Sequence, residues 1–344
     1  MNQTNLKERK DKPLKYYSAV TRAFREEMIR SEDVVLIGED VGESGGIFAQ
    51  TKGLFSEFGP DRVRDTPIAE AGFTSLAVGA AMTGLRPIVE IGFEDFLTAC
   101  MDPIVNQAAK LRYMLGGQVK VPVTLYTFGS GGLNAGPQHS QSLAAWFSHV
   151  PGLKVVMPSS AKDALGLLKS SIRDDNFVLC LMCKSLIGSR EPVPQENTEF
   201  LIPLGKAEIK RSGEDVTIVA VGAMVRQALA ASKSLSDEGI EAEVVDPRTL
   251  SPLDIDTILE SLSKTRRLIV VHEAMSPCGI GAEIIAQVVE TDPQLLDSAP
   301  LRLTPPFAPS PFESTPRALP PSPPAGPTCP SAEAESAAPP PSPP

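Results

Sequence analysis

At 344 residues the chain has room for two ordinary domains, and 42% hydrophobic with 22% charged residues is the profile of a globular protein. A formal net charge of -10 excludes a surface built for nucleic acid or anionic lipid, which needs clustered Lys and Arg. No apolar run reaches the roughly 18 residues that span a bilayer. The opening MNQTNLKERKDKPLKYYSAV lacks the apolar core of a secretory signal and contains too many acids for a mitochondrial presequence. Cys100, Cys180, Cys183, Cys278 and Cys329 are scattered and odd in number, giving no disulfide framework, so a reducing cytoplasm is expected.

In chain order, 15–30 carries apolar positions at helical spacing and leads into the β-branched run Val34-Val35-Leu36-Ile37. The small apolar stretch 71–84 reads as a helix packed closely on its neighbours, and Arg86 to Ile91 as a strand. A helix over 95–114, a strand over 121–126, a Gly-rich loop at 129–136 and a helix near 139–148 follow. Val155-Val156 is a further strand and 161–173 a helix. Cys180 and Cys183 form a CxxC inside an apolar run with no second Cys or His pair, which favours buried strand thiols over a redox or metal pair. The stretch 187–203 is polar, Pro-containing and aperiodic, as a linker is. Beyond it, strands at 215–221, 241–246 and 268–272 alternate with helices at 223–237, 253–263 and 281–290. Strands alternating with helices predict mostly parallel sheets covered on both faces. The last 40 residues hold 16 of the 33 prolines, too little apolar surface to offset ordering, so a disordered or polyproline-II tail is expected.

Four features carry chemistry. Glu39-Asp40 follows a strand end, where open α/β sheets bind ligands, although taken alone solvated strand-end charge explains it better. Glu70 precedes a helix of small residues, so it either caps that helix or acts as a carboxyl buried against apolar neighbours. His139, one of three histidines, follows the Gly-rich loop and is either structural or a general acid–base. The segment SIRDDNF offers hard oxygen ligands at a helix end, or simply a helix terminus. There is no GxSxG, Walker A, HExxH or GxGxxG in a strand–helix context.

Taken together, GEDVG (38–42), TKGL (51–54), FGPDRVRDTPIAEAGF (58–73), VGAAMTGLRPIVE (78–90), NQAAKLRYMLGGQ (106–118), QHSQ (138–141), VPGLKVVMPSS (150–160) and SIRDDN (171–176) resemble one family. It is the beta subunit of the thiamine-diphosphate-dependent first component of 2-oxo acid dehydrogenase complexes. The resemblance runs from about residue 14 to 312. It implies a pyrimidine-binding α/β domain over 14–186, a linker over 187–206, and a transketolase C-terminal-like α/β domain over 207–312. The Pro-rich tail, 313–344, falls outside the family pattern.

The family's diphosphate anchor is a GDG…NN motif that binds Mg²⁺. This sequence has no GDG, so the resemblance implies that an alpha subunit holds Mg²⁺ and the diphosphate in an α2β2 heterotetramer. Glu70 matches the glutamate that hydrogen-bonds N1′ of the cofactor's aminopyrimidine. Phe96 matches the aromatic residue stacked on that ring, and Glu39 and Ile68 match residues lining the pocket. His139 matches the histidine that assists proton transfer when the acyl group passes to the lipoyl arm of the acyltransferase core. Val123, Ser171, Ile172, Asp174 and Asn176 match a structural potassium site, made mostly by backbone carbonyls. The loop Tyr126–Pro137 departs from the family's Arg-Gly-Pro-type opening, Pro103 stands in place of Gln, and Gly92 and Ala99 are smaller than usual. These departures bear on the acyl pocket, so pyruvate is the first expectation for substrate from the family and not from these residues. Acetoin and branched-chain 2-oxo acids are the alternatives, and a non-catalytic scaffold is the reading from another class.

Overall fold

The computed structural model describes residues 11–196 and 198–312. The proline tail from 313 onward, with Cys329, lies outside the described residues.

The first half begins with strand β1 (Lys12–Lys15) and helix α1 (Tyr16–Arg30). There follow β2 (Val34–Gly38), α2 (Leu54–Phe58), β3 (Val63–Asp65), α3 (Glu70–Met82) and β4 (Arg86–Phe93). After a helical run come α4 (Ala109–Met114), β5 (Thr124–Gly129), α5 (Ala144–Ser148) and β6 (Lys154–Val156). Helix α6 (Ala161–Arg173), β7 (Val178–Cys183) and β8 (Arg190–Val193) complete it. The second half holds β9 (Glu208–Arg211), β10 (Val216–Ala220), α7 (Met224–Asp237), β11 (Ala242–Asp246) and β12 (Thr249–Ser251). Helix α8 (Ile255–Thr265), β13 (Leu268–Val271), α9 (Ile280–Thr291) and β14 (Leu301–Leu303) end it.

The strands form a seven-stranded sheet in the order β12-β6-β7-β5-β4-β2-β3 and a five-stranded sheet in the order β14-β13-β10-β11-β9. All pairings are parallel except at the edges, where β12 and β9 run antiparallel. Every residue of β2, β5 and β7 is buried, because helices cover both faces. Cys180 and Cys183 are free, buried thiols within β7, and burial pushes Cys180 up to about 12. Helix α6 is capped by Ser160, whose hydroxyl accepts from the Asp163 amide, and it turns Ala164, Leu165, Leu168 and Ile172 inward. Helix α3 buries Phe73, Thr74, Ala77, Val78 and Ala81, but leaves Gly72, Ser75 and Leu76 exposed. The helix packs closely along one face and leaves the other open.

Several boundaries differ from expectation for identifiable reasons. The helix expected over 95–114 is a 3₁₀ segment (Glu94–Cys100), a π segment (Asp102–Ala108) and α4, with Pro103 in the first turn of the π segment. Proline has no amide to donate and disrupts regular α-helical bonding. Strand β5 starts at Thr124 rather than 121, since Pro122 cannot donate and the Val121 amide bonds to the Asp175 carbonyl. The helix expected near 139–148 shrinks to a 3₁₀ turn (Pro137–His139) and α5, because carboxylates capture the amides of Gln141 and Leu143. The stretch read as a linker contains β8, paired antiparallel with β1 in a two-stranded ribbon. A two-stranded ribbon is all edge, which tolerates Pro192 and hides the strand from pattern reading. Strand β12, from the second half, joins the first sheet beside β6 and ties the halves together.

Candidate active site

The chemistry-bearing residues collect at the carboxyl ends of the parallel strands, the edge where such sheets present ligand-binding loops. Glu39 follows β2, Glu70 stands beyond β3 at the start of α3, and Phe96 lies just past β4. His139 lies beyond β5.

Glu70 is the first residue of α3, and Ala69 occupies the cap position without a side-chain bond, so Glu70 does not cap the helix. Its half-buried carboxylate has no hydrogen-bond or ion-pair partner among the described residues. Glu39 has a buried Oε1 with no hydrogen-bond partner. Burial raises the Glu39 pKa, and the charges of Glu70 and Asp40 raise it further, which places the two glutamates in one electrostatic neighbourhood. Ile68 is 84% exposed in the loop between Pro67 and Ala69.

Phe96, on the 3₁₀ segment, meets Phe93 edge-to-face with centroids 5.8 Å apart. The His139 imidazole stands perpendicular to Phe93 at 5.1 Å and nearly so to Phe96 at 5.6 Å. The same 3₁₀ segment ends at Cys100, whose thiol feels the charge of Glu70. The seven-residue 3₁₀ segment thus runs from the His139 ring at Phe96 to a thiol within reach of the Glu70 charge.

Sequence reasoning missed a second layer. Glu94 is fully buried, accepts from the Leu143 amide at 2.5 Å, and is pushed up to about 8 by burial. Asp95 accepts from both the backbone and side-chain amides of Gln141. Lys184, first residue after β7, donates to the His139 carbonyl. Glu273, from the loop after β13, reaches the same seam, where burial raises its pKa and one carboxylate oxygen has no hydrogen-bond partner. Glu90, inside β4, is also raised to about 8 by burial and accepts from Gln50 at 2.6 Å and from the buried Tyr126 hydroxyl. Tyr126 opens the segment that departs from the family pattern, and its partner is therefore a protonatable carboxyl. The sequence signal was a repeated device: Glu94-Asp95 follows β4 as Glu39-Asp40 follows β2.

Residues 12–189 match the transketolase pyrimidine-binding domain and residues 205–320 the transketolase C-terminal domain. The acetoin:2,6-dichlorophenolindophenol oxidoreductase subunit beta of Bacillus subtilis is 47% identical, over 86% of this chain and 89% of its own. The pyruvate dehydrogenase E1 component subunit beta of the same organism is 45% identical, over 86% and 90%. The mitochondrial pyruvate dehydrogenase E1 component subunit beta-2 of Oryza sativa subsp. japonica is 47% identical, over 86% and 79%. The chain belongs to this beta-subunit family.

The family is one of thiamine-diphosphate-dependent oxidoreductases built on transketolase domains. A split-gene transketolase, described as an inactive beta4 tetramer, shares the fold at a TM-score of 0.68 and 24% identity, over 84% of this chain and 88% of that one. An aminopyrimidine offers ring and exocyclic nitrogens to hydrogen-bond. The partnerless Glu39 oxygen, the unengaged Glu70 carboxylate and the Phe96 ring suit such a group.

The five residues matched to a potassium site also gather, at the opposite, amino ends of β5 and β7. Each already has a protein partner. The Val123 carbonyl accepts from the Val178 amide and the Ser171 carbonyl from the Asp174 amide. The Arg86 guanidinium bridges the Ile172 and Asp174 carbonyls at 2.9 and 3.0 Å. The Asp174 carboxylate pairs with Lys154, and Asn176 Oδ1 accepts from Arg112. Among the described residues no group of three or more His, Cys, Asp or Glu is placed to hold a metal, and no helix is long and apolar enough to cross a membrane.

Proposed function

We propose that this chain is the beta subunit of a 2-oxo acid dehydrogenase, with pyruvate as substrate. It would supply the pyrimidine half of an active site that an alpha subunit completes with Mg²⁺ and the diphosphate in an α2β2 assembly. The acyl product would pass to the lipoyl group of an acyltransferase core. The observation that carries the reading is the meeting of Glu39, Glu70, Phe96 and His139 around one 3₁₀ segment at the sheet's carboxyl edge.

Thiamine diphosphate supplies the carbon nucleophile and electron sink when bound. The chain's residues supply placement and proton control. Glu70, free of internal partners at the positive end of α3, can exchange a hydrogen bond with a ring nitrogen. Glu39, whose buried Oε1 lacks a partner, can accept a hydrogen bond from the heterocycle beside Glu70. Phe96 and exposed Ile68 give an apolar wall for a flat heterocycle. His139, braced between two aromatic rings, can move a proton at the substrate oxygen or at the acceptor thiol.

A second reading is acetoin as substrate. It is favoured by the Bacillus subtilis acetoin relative. A potassium ion at Val123, Ser171, Ile172, Asp174 and Asn176 would use lone pairs that Arg86 and the backbone leave free. It has no part in the chemistry.

The test is Glu70→Gln reconstituted with the alpha subunit. Assembly should persist while turnover of pyruvate, or of acetoin, falls by about 100-fold or more, the usual cost of losing a proton-handling group. Near-parental turnover would remove Glu70 from the reaction. Relative rates on pyruvate, branched 2-oxo acids and acetoin then choose the substrate.

A further inference from the structure

A lysine buried without a carboxylate partner is uncommon, because an unpaired ammonium loses its hydration. Lys184 is 2% exposed, yet no carboxylate oxygen among the described residues comes within ion-pairing reach of it. Its Nζ has two partners. One is the backbone carbonyl of His139, to which it donates. The other is the face of Phe93, with Nζ 5.2 Å from the ring centroid. Phe93 is the ring that stands perpendicular to the His139 imidazole at 5.1 Å. Lys184 therefore touches the histidine from two directions: directly at its backbone, and through the ring against which its side chain rests.

The rest of the histidine loop is held by the same layer. Asp95 takes two amides of Gln141, Glu94 takes the amide of Leu143, and the Ser130 amide donates to the Gln141 carbonyl. Those bonds fix residues 141–143, whereas on the His139 backbone the side chain that bonds is Lys184. The charged groups facing it are Asp95 and Glu94 from the 3₁₀ segment and Glu273 from the second domain. Burial lowers the lysine's pKa, and those three acids oppose that shift without coming within ion-pairing distance.

We propose that Lys184 is a positioning residue for the transfer of the acyl group, setting the backbone and ring orientation of His139. This rests on the reading of His139 given above. It goes beyond that reading in naming the side chain, on a different strand, that aims the histidine.

The experiment is a double-mutant cycle in the assembled α–β holoenzyme, following acylation of a lipoylated acceptor domain. Lys184→Met should slow acylation by about 10- to 100-fold, the scale set by misplacing a reacting group by up to 1 Å. In a His139→Ala background the same change should alter the rate by less than about twofold, since no imidazole remains to be aimed. Lys184→Arg, which keeps a cation over Phe93, should recover most of the loss. The proposal is overturned by additive losses in the cycle, by a Lys184→Met enzyme as fast as the parent, or by an arginine variant no better than methionine. If His139→Ala alone leaves acylation untouched, the role of His139 fails first and the proposal falls with it. Should Lys184→Met not assemble, Lys184→Gln carries the same cycle with the charge removed and a donor retained.

Discussion

Lys210 bears on how the two halves of the chain stay in register. It rises from β9 in the second half and reaches buried Asp163 of α6 at 2.8 Å, Asp246 at the end of β11 at 3.6 Å, and Glu208 at 2.5 Å. Asp163 and Asp246 are both fully buried, and the Ser159 hydroxyl, from the first half, donates to Asp246 at 2.5 Å. Arg248 lies 3.6 Å from Asp163. Lys210→Met would remove the central cation and leave two buried carboxylates to face each other. Breaking a buried pair from one side costs about 3–5 kcal/mol, a large share of a domain's total stability of roughly 5–15 kcal/mol. At about 2–4 °C per kcal/mol for a chain of this size, the melting temperature should fall by roughly 6–20 °C.

The deficit should also depend on pH, with a sign that burial dictates. Asp246 is already raised to about 7 by burial and by the Asp163 charge, so its folded form holds a proton that the unfolded chain has released. Its contribution is therefore most favourable at low pH and is lost as pH rises through about 7. Without Lys210 a protonated Asp246 relieves the repulsion, so the Lys210→Met deficit should be smaller at pH 5 than at pH 8.5. Calorimetric melts of parent and variant at both pH values read this directly. A cost below about 1 kcal/mol at pH 8.5, or a cost independent of pH, would refute the seam as a charge-compensated latch.

Three further outcomes are expected. Glu94, raised to about 8, also favours folding at low pH and costs stability as pH climbs through that value. Glu94→Gln, which cannot ionise, should match the parent near pH 5 and melt higher at pH 8.5; the same melting curve at both pH values would contradict this. A side chain at Gly129 would place Cβ 1.5 Å from Glu94 Oε2, so Gly129→Ala should cost about 1–3 kcal/mol and slow acyl transfer by displacing the Leu143 amide. Unchanged melting and activity would count against it. Replacing KCl by choline chloride at equal ionic strength should lower the melting temperature, by about 2.7 kcal/mol of lost stability if potassium stood near 100 times its Kd. An unchanged midpoint would leave Arg86 as the only cation bridging those carbonyls.

Much of this protein was legible in the order of its residues. Fully buried strands announce themselves as short apolar runs rich in β-branched residues, as in Val34–Gly38, and the alternation of strand and helix followed from local periodicity alone. The candidate site residues were legible only as members of a motif series, since Glu70 or His139 taken singly reads as structural. What tertiary folding alone decided are relations between residues far apart in the chain. The partnership of Lys184 with His139, the capture of the Gln141 and Leu143 amides by Asp95 and Glu94, and the Arg86 bridge across the Ile172 and Asp174 carbonyls span 45 to 88 positions. The insertion of β12 beside β6 and the Lys210 seam likewise depend on which surfaces meet. Local spacing encodes which face of an element is apolar. It carries no record of which buried charge on one strand will find a donor on another, because that depends on the sheet order and on desolvation, which exist only once the chain has closed on itself.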